Sequence, residues 1–296
     1  MNHSKELLNQ YTIQVGQVIE GYLPKEEGQS KVLVAAMNYS IKAGGKRLRP
    51  LFMREVYRMF GGCGREVEPF MAAMEMIHTF SLVHDDLPCI DNDRLRRGRD
   101  TTWVKYGYDM AVLAGDGLYG YAFETAAKAL DYTKDYEAVG RCMGLLASKS
   151  GIHGMIGGET ADVELTGKPM TKEQLDFVYR LKTGALLEAS MMIGAVLAGA
   201  DEAQVKTVER MASCVGMAFQ IQDDILDLTS SQETLGKPVL SDEKNHKTTY
   251  VTLYGMEQAR REVERLSEEA VEALESLPGD HGFMKDLIMM LVTREK

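Results

Sequence analysis

Two short stretches carry three carboxylates each: Asp85-Asp86-Leu87-Pro88-Cys89-Ile90-Asp91 and Asp223-Asp224-Ile225-Leu226-Asp227. Both follow apolar runs rather than lying in polar tails. Like charges this close raise one another's pKa, and a neighbouring core raises it further, so such clusters call for a cation. An all-oxygen donor set favours a hard ion such as Mg²⁺ over zinc or copper. Mg²⁺ binds few protein ligands and leaves room for water and substrate phosphates, so the doubled cluster predicts a metal-bridged phosphate site. Removing one member of a mutually repelling cluster is then expected to cost activity but little stability.

Cations accompany the acids. Arg94-Leu95-Arg96-Arg97-Gly98 follows the first cluster, and Gly236-Lys237-Pro238 follows the second. Gly44-Gly45-Lys46-Arg47-Leu48-Arg49-Pro50 lies upstream of both. Carboxylates for metal, with Arg and Lys for phosphate oxygens, are what a polyphosphate ester demands.

The elements that must position these groups read as helices. Apolar periodicity predicts long helices over 71–87, 111–130, 171–199 and 203–228, and interleaved Glu and Arg mark a solvated helix over 249–275. Strand-length alternation is nearly absent, and no repeat, low-complexity tract or linker breaks the chain, which predicts a single all-α domain over 1–296. On the 203–228 helix Gln220, Asp224 and Asp227 fall on one stripe, with Asp223 beside it. On the 71–87 helix His78 and Asp85 share a face, with Ser81 between them. Asp91 would be rotated roughly 240° from Asp85 if the helix ran on. Pro88 disfavours that, so the chain is expected to leave the helix and swing Asp91 back. Met71, Met74 and Met76 read as core packing.

Composition bounds the function. With 34 Lys+Arg against 44 Asp+Glu the formal net charge is −10, which argues against nucleic acid as a partner. A hydrophobic share of 45 % is ample for a core. No apolar run reaches membrane-spanning length, and the polar opening Met1-Asn2-His3-Ser4-Lys5-Glu6 is no secretory signal. A cytoplasmic protein without a membrane anchor is expected. Cys63, Cys89, Cys142 and Cys214 lie far apart and read as reduced thiols.

Taken in order, the motifs resemble those of the trans-polyprenyl diphosphate synthases, and among them the bacterial-type farnesyl diphosphate synthases (geranyltranstransferases). The resemblance runs from about residue 44 to 250. It rests on GGKRLRP at 44–50, DDLPCID and RRG at 85–98, Gly115-Asp116, Lys182-Thr183-Gly184, FQIQDDILD at 219–227, Lys237, and DEKNHKTTY at 242–250. It implies a bundle of long helices around a deep central cavity, usually a homodimer, with the aspartate motifs facing each other at the cavity mouth. Asp85, Asp86, Asp91, Asp223, Asp224 and Asp227 would hold several Mg²⁺ ions on an allylic diphosphate. Arg96, Lys182, Thr183, Gln220, Lys237 and Lys247 would contact that substrate, with Lys182, Thr183 and Gln220 as the catalytic set. Lys46, Arg49, His78 and Arg97 would hold isopentenyl diphosphate. Asp116 is left outside the catalytic set.

The chemistry so implied is head-to-tail condensation of isopentenyl diphosphate with dimethylallyl or geranyl diphosphate to farnesyl diphosphate. Ionising the allylic C–O bond needs a stabilised leaving diphosphate, and the cation formed needs positioning in a dry apolar cavity. Phe80 and Ser81, one turn before Asp85, would set product length, and an aromatic Phe80 together with the Pro88-Cys89 insertion resembles C15-producing enzymes. A C20-producing geranylgeranyl diphosphate synthase is the alternative. A class I terpene cyclase, which needs no isopentenyl site, and a non-catalytic subunit of a heteromeric synthase are further ones. Three departures from the family pattern stand out: Arg94 where an acid is common, Glu159 where Gln is usual, and Leu240 in place of a frequent Gly.

Overall fold

The computed structural model describes residues 2–229 and 248–293, and the architecture is all-α. The chain divides into two compact units, residues 1–54 with 63–143 and residues 55–62 with 144–296.

The first unit holds α1 (Asn2–Gly21), α2 (Lys31–Lys42), the start of α3 (Leu48–Met59), α4 (Val67–Asp85), α5 (Thr102–Tyr106), α6 (Tyr108–Ala127) and the first half of α7 (Tyr136–Ser150). Helix α4 is apolar on nearly every face, as a helix at the centre of its unit must be. Phe70, Met71, Met74, Met76 and Ile77 are all buried, so the methionine stripe is core. Burying each such side chain is worth about 1.5–3 kcal/mol. Packing against α1, α2 and α6 surrounds it. The 111–130 expectation becomes α6 followed by a short 3₁₀ turn, Lys128–Asp131.

Two two-residue strands, β1 (Leu95–Arg96) and β2 (Arg99–Asp100), were not expected. They pair antiparallel with Leu95 opposite Asp100 and Arg96 opposite Arg99. Arg97 and Gly98 form the turn at φ 54° and 73°. Two positive-φ residues match a tight turn to the twist of a hairpin.

The second unit holds α8 (Met155–Leu165), α9 (Lys172–Val178), α10 (Ala185–Leu197), α11 (Glu202–Thr229), α12 (Tyr250–Tyr254), α13 (Met256–Glu275) and α14 (Gly282–Val292). The long helix expected over 171–199 is interrupted by a π-helical segment, Tyr179–Gly184, between α9 and α10. A capping box of Thr171 and Gln174 starts α9. The 249–275 helix is split at Gly255, whose φ of 82° ends α12 before α13 begins. Helix α13 buries Ala259, Val263, Leu266 and Ala270 against α11 and leaves Arg265 outside, bonded to Glu262 and Glu269. Among the described residues no helix is long and apolar enough to cross a membrane, and all four cysteines are free thiols.

Candidate active site

In the first unit the chain leaves α4 at Asp85, as Pro88 requires. Asp86 follows as the C-cap, the amide of Leu87 donates to the carbonyl of His84, and the amide of Asp91 donates to the carbonyl of Asp85 at 2.9 Å. That last bond folds Asp91 back onto the end of α4. The three aspartates differ in setting: Asp86 is buried, Asp85 half-buried and Asp91 exposed. Arg96, on β1, grips Asp86 with Nε at 2.8 and 3.0 Å from its two oxygens and Nη2 at 2.6 Å. Burial pushes the Asp86 carboxyl up and Arg96 opposes it.

Around the loop between α2 and α3 lies a cluster of cations. Gly44 and Gly45 have φ of 90° and 131°, and Arg47 sits at 49°. The Arg97 guanidinium donates to the carbonyl of Gly44 and lies on Gly45, where an added Cβ would come within 2.7 Å of it. Arg49 Nη1 is 3.5 Å from His78 Nε2 on α4. Loss of solvent pushes Arg49 down to about 10, with Glu75 opposing and Arg97 adding to it. Burial, then Arg49, Arg97, Arg96 and Arg47, hold His78 well below 6.5. His78 is therefore neutral among cations. Lys46 is exposed at the rim of the same loop.

Near Asp85, Phe80 packs between His84, at 4.9 Å, and Tyr119 of α6, at 5.0 Å, and Tyr119 continues to Phe123 at 5.2 Å. Ser81 returns its hydroxyl to the carbonyl of His78 at 2.9 Å. Arg94 lies over the Trp103 ring.

In the second unit the π-helical segment carries Lys182 and Thr183. Its path depends on two glycines. A Cβ on Gly158 of α8 would lie 2.2 Å from the Lys182 nitrogen, and one on Gly216 of α11 would lie 2.9 Å from the Gly184 Cα. Lys182 Nζ is 2.6 Å from Asp162 and 2.8 Å from Glu159, so the unusual Glu159 makes an ion pair that a glutamine could not. The Thr183 hydroxyl donates to Gln220 Oε1 at 2.8 Å. Asp162, Lys182, Thr183, Gln220 and Asp224, with Tyr179, line a cavity of about 120 Å³. Asp224, buried, accepts from the Tyr179 hydroxyl at 2.6 Å and from the Tyr250 amide at the start of α12 at 2.8 Å. Asp227 is buried and Asp223 half-buried on the same helix. Lys237, Leu240 and Lys247 lie outside the described residues.

Sequence reasoning passed over Asp162, Tyr179, Tyr250, Arg47 and Glu75. The signal for Glu75 was available, because a lone carboxylate in an apolar helix must be paired. Tyr179 and Tyr250 carry no such signal. Both motifs offer only carboxylate oxygens, the donor chemistry of a hard divalent ion. Among the described residues no three His, Cys, Asp or Glu side chains already converge as a metal cage. A few carboxylates completed by substrate phosphates and water fit Mg²⁺ better than an all-protein cage does.

The expectation that losing one aspartate costs little stability does not hold where the carboxylate answers protein donors. Asp224→Ala removes the carboxylate that accepts from the Tyr179 hydroxyl and the Tyr250 amide, a loss of about 1–3 kcal/mol in denaturant unfolding. Asp224→Asn retains an acceptor and should lose less. An alanine variant as stable as the wild type would remove this anchoring role. His78 gives a second prediction. Its unfolded-state pKa is near 6.5 and its folded value lies well below. Between the two, the unfolded chain binds a proton that the fold refuses, so stability falls as pH drops below about 6.5 and is unaffected by His78 above it. His78→Gln should flatten the stability profile from about pH 7 to about pH 5, measured by urea unfolding; an unchanged slope would contradict it.

Comparison with known proteins adds the family. Residues 30–279 match the polyprenyl synthetase family. The chain is 41 % identical over 259 residues to a farnesyl diphosphate synthase of Geobacillus stearothermophilus, covering 88 % of this chain and 87 % of the relative. It is 40 % identical over 269 residues to a geranylgeranyl diphosphate synthase of Cyanophora paradoxa, covering 89 % of each. Among solved structures, a geranyltransferase of Helicobacter pylori complexed with magnesium and isoprenyl diphosphate superposes with a TM-score of 0.83 at 30 % identity, covering 98 % of this chain and 96 % of that one. With the match spanning most of the chain and both acidic motifs lying inside it, the protein belongs to the polyprenyl synthetase family and is a prenyltransferase.

Proposed function

We propose that this prenyltransferase condenses isopentenyl diphosphate with dimethylallyl diphosphate and then geranyl diphosphate, releasing farnesyl diphosphate. The allylic C1–O bond breaks, C1 bonds to C4 of isopentenyl diphosphate, and the proton lost from C2 leaves with the departing diphosphate. Residues 1–296 then act as one catalytic domain, homodimeric and cytoplasmic; four free thiols accord with a reducing compartment.

Within that reading Lys46, Arg49, Arg97 and the neutral His78 bind the isopentenyl diphosphate, since cations from the loop, the start of α3 and the hairpin suit the oxygens of a single anion. Arg96, Lys182, Lys237 and Lys247 bind the allylic diphosphate. Thr183 and Gln220, already bonded to each other, present neutral dipoles that steady an allyl cation without capturing it. Magnesium, which the Helicobacter pylori structure holds, would supply charge stabilisation to the leaving diphosphate. Asp85, Asp86, Asp91, Asp223, Asp224 and Asp227 would hold it, with Asp86 and Asp224 sharing their oxygens with Arg96 and with Tyr179 and Tyr250.

Relatives include both C15 and C20 synthases, so the product rests on a residue. The observation that carries the C15 reading is Phe80, locked between His84 and Tyr119 just before Asp85, where it fills space a longer chain would need. The purified chain, given isopentenyl and geranyl diphosphates with Mg²⁺, should yield mainly C15 product by mass spectrometry. Mainly C20 product would overturn the farnesyl assignment, and no condensation would overturn the function.

Phe80→Ala should shift product to C20 and beyond, because each methylene newly buried is worth about 0.8 kcal/mol. Truncation also costs about 3–5 kcal/mol of packing, so the variant is assayed below its melting temperature. A folded variant that still stops at C15 would place the stop elsewhere.

A further inference from the structure

Glu75 is the odd residue of α4, a carboxylate 2 % exposed in the middle of an apolar helix. Its partner is Arg47, itself 7 % exposed, with Nη1 at 2.5 Å from Oε1. The same guanidinium donates through Nη2 to the carbonyl of Ile41 at 2.6 Å, in the last turn of α2. One side chain thus ties the end of α2 to the middle of α4, and its own backbone is left-handed at φ 49°. That strain persists only where surrounding contacts hold it.

The groups the loop presents lie beside this tie. Gly44, whose carbonyl receives Arg97, Lys46 and Arg49 all lie within three residues of Arg47. Arg47, Arg49, Arg96 and Arg97 all act on His78, and Glu75 is the carboxylate that acts on both Arg49 and Arg97. The cluster therefore keeps a positive excess suited to a diphosphate, while Glu75 offsets enough of it to let the arginines gather without a ligand.

We propose that Glu75 and Arg47 are the positioning pair of the isopentenyl diphosphate subsite, fixing the 43–47 loop so that Lys46, Arg49 and Arg97 converge on the anion without touching it themselves. This rests on the reading of that cluster as the isopentenyl subsite. The pair touches neither acidic motif, so its loss is felt by one substrate.

Removing Glu75 alone strands a buried guanidinium and risks the fold. The test is therefore the double variant Arg47→Met/Glu75→Met, since a buried ion pair replaced by apolar groups of similar volume usually keeps the fold. With a wild-type-like melting curve, its KM for isopentenyl diphosphate should rise about tenfold, the equivalent of one good polar contact. KM for geranyl diphosphate and kcat should stay within about twofold, well inside the tenfold step that marks one lost contact. Calorimetric titration with isopentenyl diphosphate alone should show the same weakening without turnover. Unchanged binding, or equal loss for both substrates, overturns the proposal. Should the double variant not fold, Arg47→Lys, which keeps the charge but not the second donor, must show the same split in weaker form; an even effect again overturns it. A wild type that neither binds nor consumes isopentenyl diphosphate removes the subsite reading itself, whereas a competent wild type with an unaffected variant removes only the positioning role.

Discussion

A charge at the end of a buried helix survives only where another group of the fold answers it, because desolvation penalises the charged form heavily. Each of the two units obeys that constraint. Asp86 at the end of α4 is answered by Arg96, Asp224 near the end of α11 by a phenol and a helix N-terminal amide, Lys182 by Glu159 and Asp162, and Arg47 by Glu75. Each answer fixes a side chain that would otherwise be mobile. Each unit holds these charges in place by pairing them internally, and preorganisation of that kind lowers the cost of binding a multiply charged ligand.

Unusual backbone does the rest of the placing. A regular helix through 179–184 would carry Lys182 and Thr183 at ordinary spacing; the π segment shifts their register, and Gly158 and Gly216 make room on either side. The loop after α2 uses three positive-φ positions, Gly44, Gly45 and Arg47, and the hairpin turn uses two more. At Arg47 and Arg97, which have side chains, such a conformation is held by contacts elsewhere rather than preferred locally. They fall beside Lys46 and at Arg97, within the cationic cluster of the first unit.

Phe80, proposed above to set product length, is also a packing residue. Its ring joins a row with His84, Tyr119 and Phe123 where α4 meets α6. Aromatic contacts of this kind add about 0.5–1.5 kcal/mol beyond the area they bury. Under the proposed C15 reading, a side chain held so firmly would make a sharper stop than a flexible one. On that reading the same rigidity would tie a change of product length to a change in stability.

Helical class, the places of α4 and α6, the extent of α11, the methionine core and the return of Asp91 beside Asp85 were all legible in the sequence. Each follows from local rules: a 3.6-residue apolar period, and proline's refusal to continue a helix. The motif order was legible too, and with it the family. The sequence was silent on the hairpin at 95–100, the π segment, the break at Gly255 and the tyrosines that hold Asp224. Nothing within a few residues of Asp224 announces a phenol 45 positions earlier or an amide 26 positions later. Likewise Arg96 and Arg97 are neighbours in the chain, yet one turns to Asp86 and the other to the carbonyl of Gly44. Residue type and spacing determined which charges this protein has and which helices carry them. Tertiary structure alone decided which charge answers which, because pairing depends on distances between segments that the chain brings together only when its apolar helices pack.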